Sequence, residues 1–408
     1  LNAYLTQQLG GRPVWLEIAR EETMACTRVR HAITGKVKGL ARRDGTLVAR
    51  KLEAYSDQGG YASHGHSICA NTITMFKQLY HDQKVTEGDG YTVYTNHTTA
   101  GAMRGYGIPQ SDFFAESLME DLAHTLQMDP SELRLKNCMP LGYVDPSTGI
   151  PAYTNGLRDC VAKGRELFHW DEKRKAYANE TGDKRRGVGV ALFDYKTGVY
   201  PISLEVSNCR MFMNEDGSIS LQMGATEIGQ GADTVFTQMA AEATGITEKN
   251  IHIVSTQDTD VAPFDLGAYA SRQTYICGMA IKRTGETLKR KIVEYASIKL
   301  KKPAAELDVE ADWVVRRTNR QKLMALADMA LEAQYNRERA ERLFAEEHVD
   351  IHENTISTGC TFVEVEVDIP LGKVKVLNIL NVHDSGILIN PKLAEGQVQG
   401  GMSMGIGY

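Results

Sequence analysis

The run Ala100-Gly101-Ala102-Met103-Arg104-Gly105-Tyr106-Gly107-Ile108-Pro109-Gln110 puts one fixed cation and one aromatic ring on a backbone with three glycines in seven residues. Glycine lacks Cβ, so such a backbone can approach a ligand closely or turn through positive φ. Pro109 fixes the exit and an apolar-periodic stretch follows. A tight turn entering a helix leaves N–H groups unpaired, which suits an anion. Gly229-Gln230-Gly231 lies between an expected strand and an expected helix. A plain tight turn and a cradle for an anion or polar heterocycle have about even weight there; the Gln230 amide can donate and accept at once. Gly267-Ala268-Tyr269-Ala270-Ser271-Arg272-Gln273 is built of small residues before a long helical pattern. Ser271 either caps that helix, the commoner case, or bonds a ligand. Gly396-Gln397-Val398-Gln399-Gly400-Gly401 continues into Met402-Ser403-Met404-Gly405-Ile406-Gly407. So many glycines weaken a helix relative to alanine, and close helix packing explains them as well as a cofactor would. Turns of this kind point to one large cofactor wrapped by backbone amides.

Other candidates read as structural. His64 and His66 have a spacing that strands sometimes use for metal, but no third ligand is nearby. Glu364, Glu366 and Asp368 alternate as the solvated face of a strand would, and Asp258 and Asp260 flank a turn. There is no Gly-x-x-x-x-Gly-Lys-[Ser/Thr] loop for phosphoryl transfer. Gly187-Val188-Gly189 lacks the third glycine of a dinucleotide fingerprint.

The elements that must position these turns belong to a chain of 408 residues, long enough for two or three domains. A hydrophobic fraction of 42% and a charged fraction of 24% are those of an ordinary globular protein. The formal charge of −6 argues against nucleic acid as a partner, and no window reads as a membrane span or signal peptide. The seven cysteines (26, 69, 138, 160, 209, 277, 360) are scattered, which reads as reduced thiols in the cytoplasm and not as a disulfide or iron–sulfur framework. No initiator Met is present and the chain stops inside a motif, so a larger polypeptide is expected.

Alternation predicts a strand over Trp15–Ala19, and a hairpin of His31–Leu40 and Thr46–Tyr55 across Arg43-Asp44-Gly45. Phe114, Leu118, Leu122 and Leu126 mark an amphipathic helix. Asp129-Pro130-Ser131-Glu132 starts a second helix, ending near Asn137. Trp170–Arg186 reads as a solvated helix and loop, Ile202–Met213 and Ser218–Met223 as a hairpin, and Ala232–Thr244 as a helix stopped by Gly245. Ile251–Val254 reads as a short buried strand, and a long helix runs from Ser271 towards Leu300 with Ile276, Ala280, Thr284, Leu288 and Ile292 on one face. Arg316–Glu347 looks helical and peripheral, and Cys360–Val367 with Val374–Val382 forms a third hairpin. The fold class is α+β, mixed β-sheets with helices. The expected domains are 1–140 and 157–408, joined by a Pro/Gly-rich linker over 141–156.

Four segments, Thr99–Gln110, Gly224–Thr234, Phe264–Gln273 and Asp384–Gly407, resemble the molybdenum-cofactor-binding large subunit of the xanthine dehydrogenase and aldehyde oxidase family, in the family's order. The bacterial xanthine dehydrogenase molybdenum-binding subunits look most similar, through stretches such as Gly224–Asp233. The resemblance implies two elongated domains that bind molybdopterin, often as its cytosine dinucleotide. It places Met103, Arg104 and Ala270 beside molybdenum, mainly through backbone groups, with Arg104 and Ala270 nearest. Gly229, Gln230, Gly231, Ser271, Gln273 and Gln397 would hold the cofactor. Tyr106 would sandwich the substrate ring at a position where Phe is familiar, leaving a hydroxyl to satisfy.

The family's reaction is hydroxylation with water, with electrons leaving through iron–sulfur clusters to FAD. Here those groups are expected on partner subunits or modules of an oligomeric complex. The family's base is a glutamate in a Gly-Glu-Pro motif, absent from this chain, so no catalytic base is assigned within it and the chain alone is expected to be inactive. The upstream Gly-Gly-Phe-Gly segment is also absent. Animal xanthine oxidases place an arginine about thirty residues before the metal-loop arginine to stabilise charge on the purine; the corresponding stretch, Ile68–Met75, has none. A purine or related N-heterocycle is the leading substrate. An aldehyde, aromatic acid or aryl-CoA thioester is the alternative, and a non-catalytic scaffold is a reading of another class.

Overall fold

A computed structural model describes residues 1–81, 84–144, 149, 151–254 and 258–408. Along the chain come α1 (Asn2–Gln8), α2 (Arg20–Cys26), β1 (Ile33–Ala41), β2 (Leu47–Asp57), α3 (Gly65–Phe76), β3 (Val85–Val93), α4 (Ile108–Leu126) and α5 (Pro130–Asn137). Next are α6 (Leu157–Phe168), α7 (Trp170–Tyr177), β4 (Lys184–Lys196), β5 (Val206–Met213), β6 (Ile219–Met223), α8 (Ala232–Thr244) and β7 (Ile251–Val254). The chain continues through α9 (Gly278–Leu300), β8 (Leu307–Glu310), β9 (Trp313–Arg316), β10 (Lys322–Ala325) and α10 (Leu326–Tyr335). Last come β11 (Phe344–Asp350), β12 (Ile356–Asp368), β13 (Lys373–Asp384) and α11 (Pro391–Ile406).

Two compact units take interleaved segments. The first comprises 1–147, 155–195 and 358–384; the second comprises 148–154, 196–357 and 385–408. This partition differs from a linear one at 141–156, because β12 and β13 join β4 in one sheet, ordered β13-β12-β4. Strand pairing, not chain order, decides membership. The other sheet of the first unit is β1-β2-β3, with β1 antiparallel and β3 parallel to β2. The second unit holds β11-β5-β6-β7 and β10-β9-β8. The expected linker falls partly outside the described residues. No helix among the described residues is long and apolar enough to cross a membrane, and all seven cysteines are unpaired.

In the first unit α4 forms where its stripe predicts, though its most buried apolar residues are Ala115, Met119 and Ala123. Asp129 caps α5 by accepting from Ser131 N and Glu132 N, with Pro130 at the first helical position. Trp15–Ala19 is not a strand: no partner edge reaches it, Trp15 is exposed, and α1 and α2 flank it instead. Five alternating residues without a neighbouring strand leave their N–H and C=O groups to water. Glu364 is buried, not solvated, and accepts from Lys173 Nζ and Tyr177 Oη at 2.6 Å each. Those two residues draw α7 onto β12, so α7 is less free than its charged sequence implies.

In the second unit α8 spans the expected residues and Gly245 ends it in the left-handed region. The α9 face Ile276, Ala280, Thr284, Leu288 and Ile292 is fully buried. Thr284 Oγ1 satisfies itself on Ala280 O at 2.7 Å. The charged block 316–347 is not peripheral. Leu326, Met329, Ala330 and Ala333 of α10 lie in the main core, and β11 pairs along β5. Its charges sit on the outer faces of elements whose inner faces are apolar. The hairpin expected from Ile202 begins only at Val206, and Ile202 and Leu204 are exposed. Helical α11 has no buried residue. A methyl at Gly396 or Gly405 would meet nothing within 4 Å among the described residues, so no packing within them requires those two glycines.

One carboxyl in the first unit carries a prediction. Burial first, then Asp194 and Glu116, raise the Asp112 carboxyl well above its usual value. Such a group stays protonated in the fold, so stability falls as pH rises from the unfolded value, about 3.9, through the folded one. Asp112→Asn should therefore raise Tm at neutral pH and change it little near pH 4. Thermal melts across that range check this; a lower Tm at pH 7 contradicts it.

Candidate functional site

In the first unit the loop Gly101–Gly107 is clamped by α3. Asn71 Nδ2 donates to Tyr106 O at 2.7 Å, and Thr72 Oγ1 donates to Gly107 O at 3.1 Å. His64, the residue before α3, places Nδ1 2.7 Å from the Tyr106 hydroxyl, with the two rings edge to face at 5.7 Å. Tyr106 N closes a turn on Met103 O at 2.8 Å, and Arg30 donates to Arg104 O. Tyr106 has φ +47° between Gly105 at +92° and Gly107 at +99°. A bulky side chain in that region is a true outlier, held only by its surroundings. Burial raises the Tyr106 hydroxyl above its ordinary value, with Ser67 hydrogen bonding acting against it. Met103, Arg104 and Tyr106 thus share one loop, with the Arg104 side chain exposed.

Gly107 is needed for the close approach itself. A Cβ there would lie 2.6 Å from Ile68 O and 2.7 Å from Thr72 Oγ1, at positive φ. Gly107→Ala should lower stability by about 1–3 kcal/mol, the cost of a strained backbone position. Urea unfolding checks the value; an unchanged midpoint contradicts it.

In the second unit Gln230 and Gln273 come together. Gln230 Nε2 donates to Gln273 Oε1 at 2.6 Å, and both amides donate to Thr226 O, at 3.1 and 3.0 Å. Gln230 Oε1 accepts from Ile228 N at 2.7 Å. Gly229 and Gly231 sit at φ +98° and +87°. The entrance of α8 is not an open anion cradle at these donors: Glu227 accepts from Gly229 N (2.7 Å), Gly231 N and Asp233 N (both 3.1 Å). Burial pushes the Glu227 carboxyl up, but those N–H groups outweigh it and hold it below the usual range. The chain supplies its own negative charge there. Sequence reading missed Glu227, though a carboxylate just before a helix start is the signal that could have found it.

The loop Gly267–Gln273 is built around Arg272, which is fully buried. Its Nε donates to Glu205 Oε2 at 2.8 Å, Nη1 to Asp265 Oδ1 at 2.7 Å and Nη2 to Val206 O at 2.6 Å. Asp265 also accepts from Gly267 N at 2.8 Å, and Gly198 N donates to Ala270 O at 2.8 Å. This framework holds Ala270 at φ +51° and Ser271 at φ +53°. Ser271 is exposed and caps nothing: a π-type turn over Gln273–Cys277 leads into α9, and Arg272 precedes it without a side-chain cap. Burial raises the Cys277 thiol to about 12, so it is inert beside this framework. Gln397 lies exposed on α11, whose Leu393 would be 3.0 Å from a Cβ at Gly231.

These residues fit a flat polar ligand better than a bare phosphate at α8. A Cβ at Gly229 would meet nothing within 4 Å, so that face is open to approach. Beside it stand the Gln230–Gln273 amides and the turn at Ala270 and Ser271, all in one unit. Amides that donate and accept match the edge of a pterin; a ligand acceptor bonding Gln230 Nε2 would take the place of Gln273 Oε1 or Thr226 O.

Profiles of the molybdopterin cofactor-binding domain match residues 1–138 and 163–408. The xanthine dehydrogenase molybdenum-binding subunit of Escherichia coli O157:H7 is 46% identical over 100% of this chain and 54% of its own length. The solved aldehyde oxidoreductase of Desulfovibrio desulfuricans superposes with a TM-score of 0.80 at 27% identity, over 99% of this chain and 42% of its own. Quinoline 2-oxidoreductase of Pseudomonas putida shares the fold, with a TM-score of 0.85 at 23% identity over 97% and 52% of the two chains. The chain spans about half the length of the curated relatives it matches. With those profiles matching nearly its whole length, this chain belongs to the molybdopterin cofactor-binding family.

Proposed function

We propose that the chain is the molybdopterin-binding part of a molybdenum hydroxylase that oxidises a purine or related N-heterocycle, with water as the oxygen source. The observation carrying this reading is the 46% identity, over the whole chain, to a protein named as a xanthine dehydrogenase molybdenum-binding subunit. When bound, the cofactor supplies the redox-active metal. The chain's own residues hold and orient. Gln230, Gln273 and Ser271 would hydrogen-bond the pterin, joined by Gly229, Gly231 and Gln397. On the family resemblance, Met103 and Arg104 of the first unit and Ala270 of the second would each approach the metal through backbone groups, and Tyr106 would lay its ring beside the substrate. The cytosine dinucleotide form of the cofactor, iron–sulfur and FAD modules on partners, and a cytoplasmic place complete the proposal; seven unpaired thiols support the last. Division into binding domains at 1–140 and 157–408 is part of the proposal and is supported by profile matches at 1–138 and 163–408, as distinct from the packing units.

An aldehyde substrate is the second reading, favoured by 27% identity to an aldehyde oxidoreductase and by the lack of arginine in Ile68–Met75. The test is to express the full-length protein with its partner modules and measure molybdenum content and dye reduction with hypoxanthine and benzaldehyde. Molybdenum with faster hypoxanthine turnover is expected. Molybdenum with benzaldehyde turnover alone selects the second reading, and a metal-free protein overturns both.

A further inference from the structure

We propose that His64 is a specificity-determining residue: through the Tyr106 hydroxyl it makes the aromatic wall of the substrate pocket selective for heterocycles with a lactam edge. The inference rests on the reading above that Tyr106 stands beside the substrate. It starts from the hydroxyl, which a phenylalanine would not bring. In the fold that hydroxyl lies 2.7 Å from His64 Nδ1. Asn71, about two turns along the same helix, holds the other end of the tyrosine by donating from Nδ2 to Tyr106 O at 2.7 Å. Ring and backbone are therefore referred to one element, α3, and these bonds are among the contacts that hold Tyr106 at φ +47°.

The chemistry of the pair sets what it recognises. A neutral imidazole with Nδ1 unprotonated accepts the phenol proton, leaving the phenol oxygen two acceptor positions, one facing Ser67 and one for a ligand N–H. With Nδ1 protonated, the imidazole donates to the oxygen and the phenol O–H turns to donate to a ligand carbonyl. The pair can thus meet either half of an adjacent N–H and C=O, the edge that oxidised purines and related ring lactams carry. A simple arene offers neither half, and a simple aldehyde offers a carbonyl without the adjacent N–H, so each meets less of the pair than a ring lactam does. Hydrogen-bonding sites discriminate far more sharply than apolar walls, because a mismatched ligand leaves their polar groups unpaired.

The experiment uses the full-length, cofactor-loaded protein and the variants His64→Leu, His64→Asn, Tyr106→Phe, Tyr106→Ala and the His64→Leu/Tyr106→Phe double. His64→Leu should raise KM for hypoxanthine about tenfold, as expected for one lost hydrogen bond, with kcat little changed and the benzaldehyde KM changed much less; Tyr106→Phe should raise the hypoxanthine KM by a similar factor, and by more than it changes the benzaldehyde KM. The double variant should be no worse than either single one, and His64→Asn, which keeps a polar atom near the Nδ1 position, should retain most of the wild-type KM. Equilibrium dialysis of hypoxanthine against the same proteins lacking molybdenum should show the same weakening without turnover. Equal losses for both substrates, additive losses in the double variant, or an unchanged hypoxanthine KM in His64→Leu would overturn the inference. If Tyr106→Ala impairs both substrates while His64→Leu is silent, only this inference fails. If Tyr106→Ala leaves both unchanged, the placement of Tyr106 beside the substrate fails with it.

Discussion

Arg272→Met should destabilise the protein by about 3–5 kcal/mol, because it strands two buried carboxylates that lose their cation. Glu205 and Asp265 side chains are 1% and 0% exposed, so water cannot replace the guanidinium. Lysine should not rescue the loss: one ammonium cannot reach Glu205, Asp265 and Val206 O in the fork that arginine spans. The damage should also reach the candidate site. Loss of the guanidinium releases the loop that keeps Ala270 and Ser271 in left-handed backbone, so molybdenum content of the full-length protein should fall in both variants even at temperatures where they remain folded. Urea unfolding with metal analysis checks this. Wild-type stability in Arg272→Met, or Arg272→Lys with full metal, contradicts it.

Glu116→Ala should cost a similar amount, about 3–5 kcal/mol, in the first unit. Glu116 Oε2 accepts from Arg134 Nε at 2.6 Å and Leu192 N at 2.9 Å, and its other oxygen accepts from the Tyr80 hydroxyl. Arg134, 1% exposed, is further held by Pro130 O and Glu116 O. One carboxylate thereby ties α4, α5 and β4, and α4 is the helix that the Tyr106 loop enters. Replacing both charges by apolar residues, Glu116→Leu with Arg134→Met, should recover much of the loss, since neither is then left unpaired. Denaturation midpoints of the singles and the double decide it; additive losses would show that the pair is not coupled.

Hairpins and amphipathic helices were legible in the sequence because local rules fix them. The turn at Asn214–Gly217, the Asp129 cap and the α9 stripe each depend on neighbours within a few residues. Interleaving of the two units was not legible, since pairing of β12 with β4 joins residues far apart along the chain. The same distance hid Glu364, whose partners Lys173 and Tyr177 lie on another element. At the candidate site the glycine turns stood out, whereas their supports did not. His64 and Asn71 act across a loop, Glu205 precedes β5 whereas Asp265 lies on the approach to α9, and no spacing rule links them to the residues they hold. Glu227 changes the reading most, by filling from within the donors that the Gly-Gln-Gly turn offered to a ligand.

Binding of molybdopterin by the Gln230–Gln273 pair is the claim on which the functional account stands. Its most direct measurement is the molybdenum and oxidised-pterin fluorescence of the full-length protein and its Gln230→Ala variant, expressed together with cofactor-synthesis proteins and partner modules. The account predicts metal and pterin in equal amounts in the parent and a parallel loss of both in the variant, at unchanged secondary structure. A parent lacking pterin, or a variant that keeps its full complement, would contradict it.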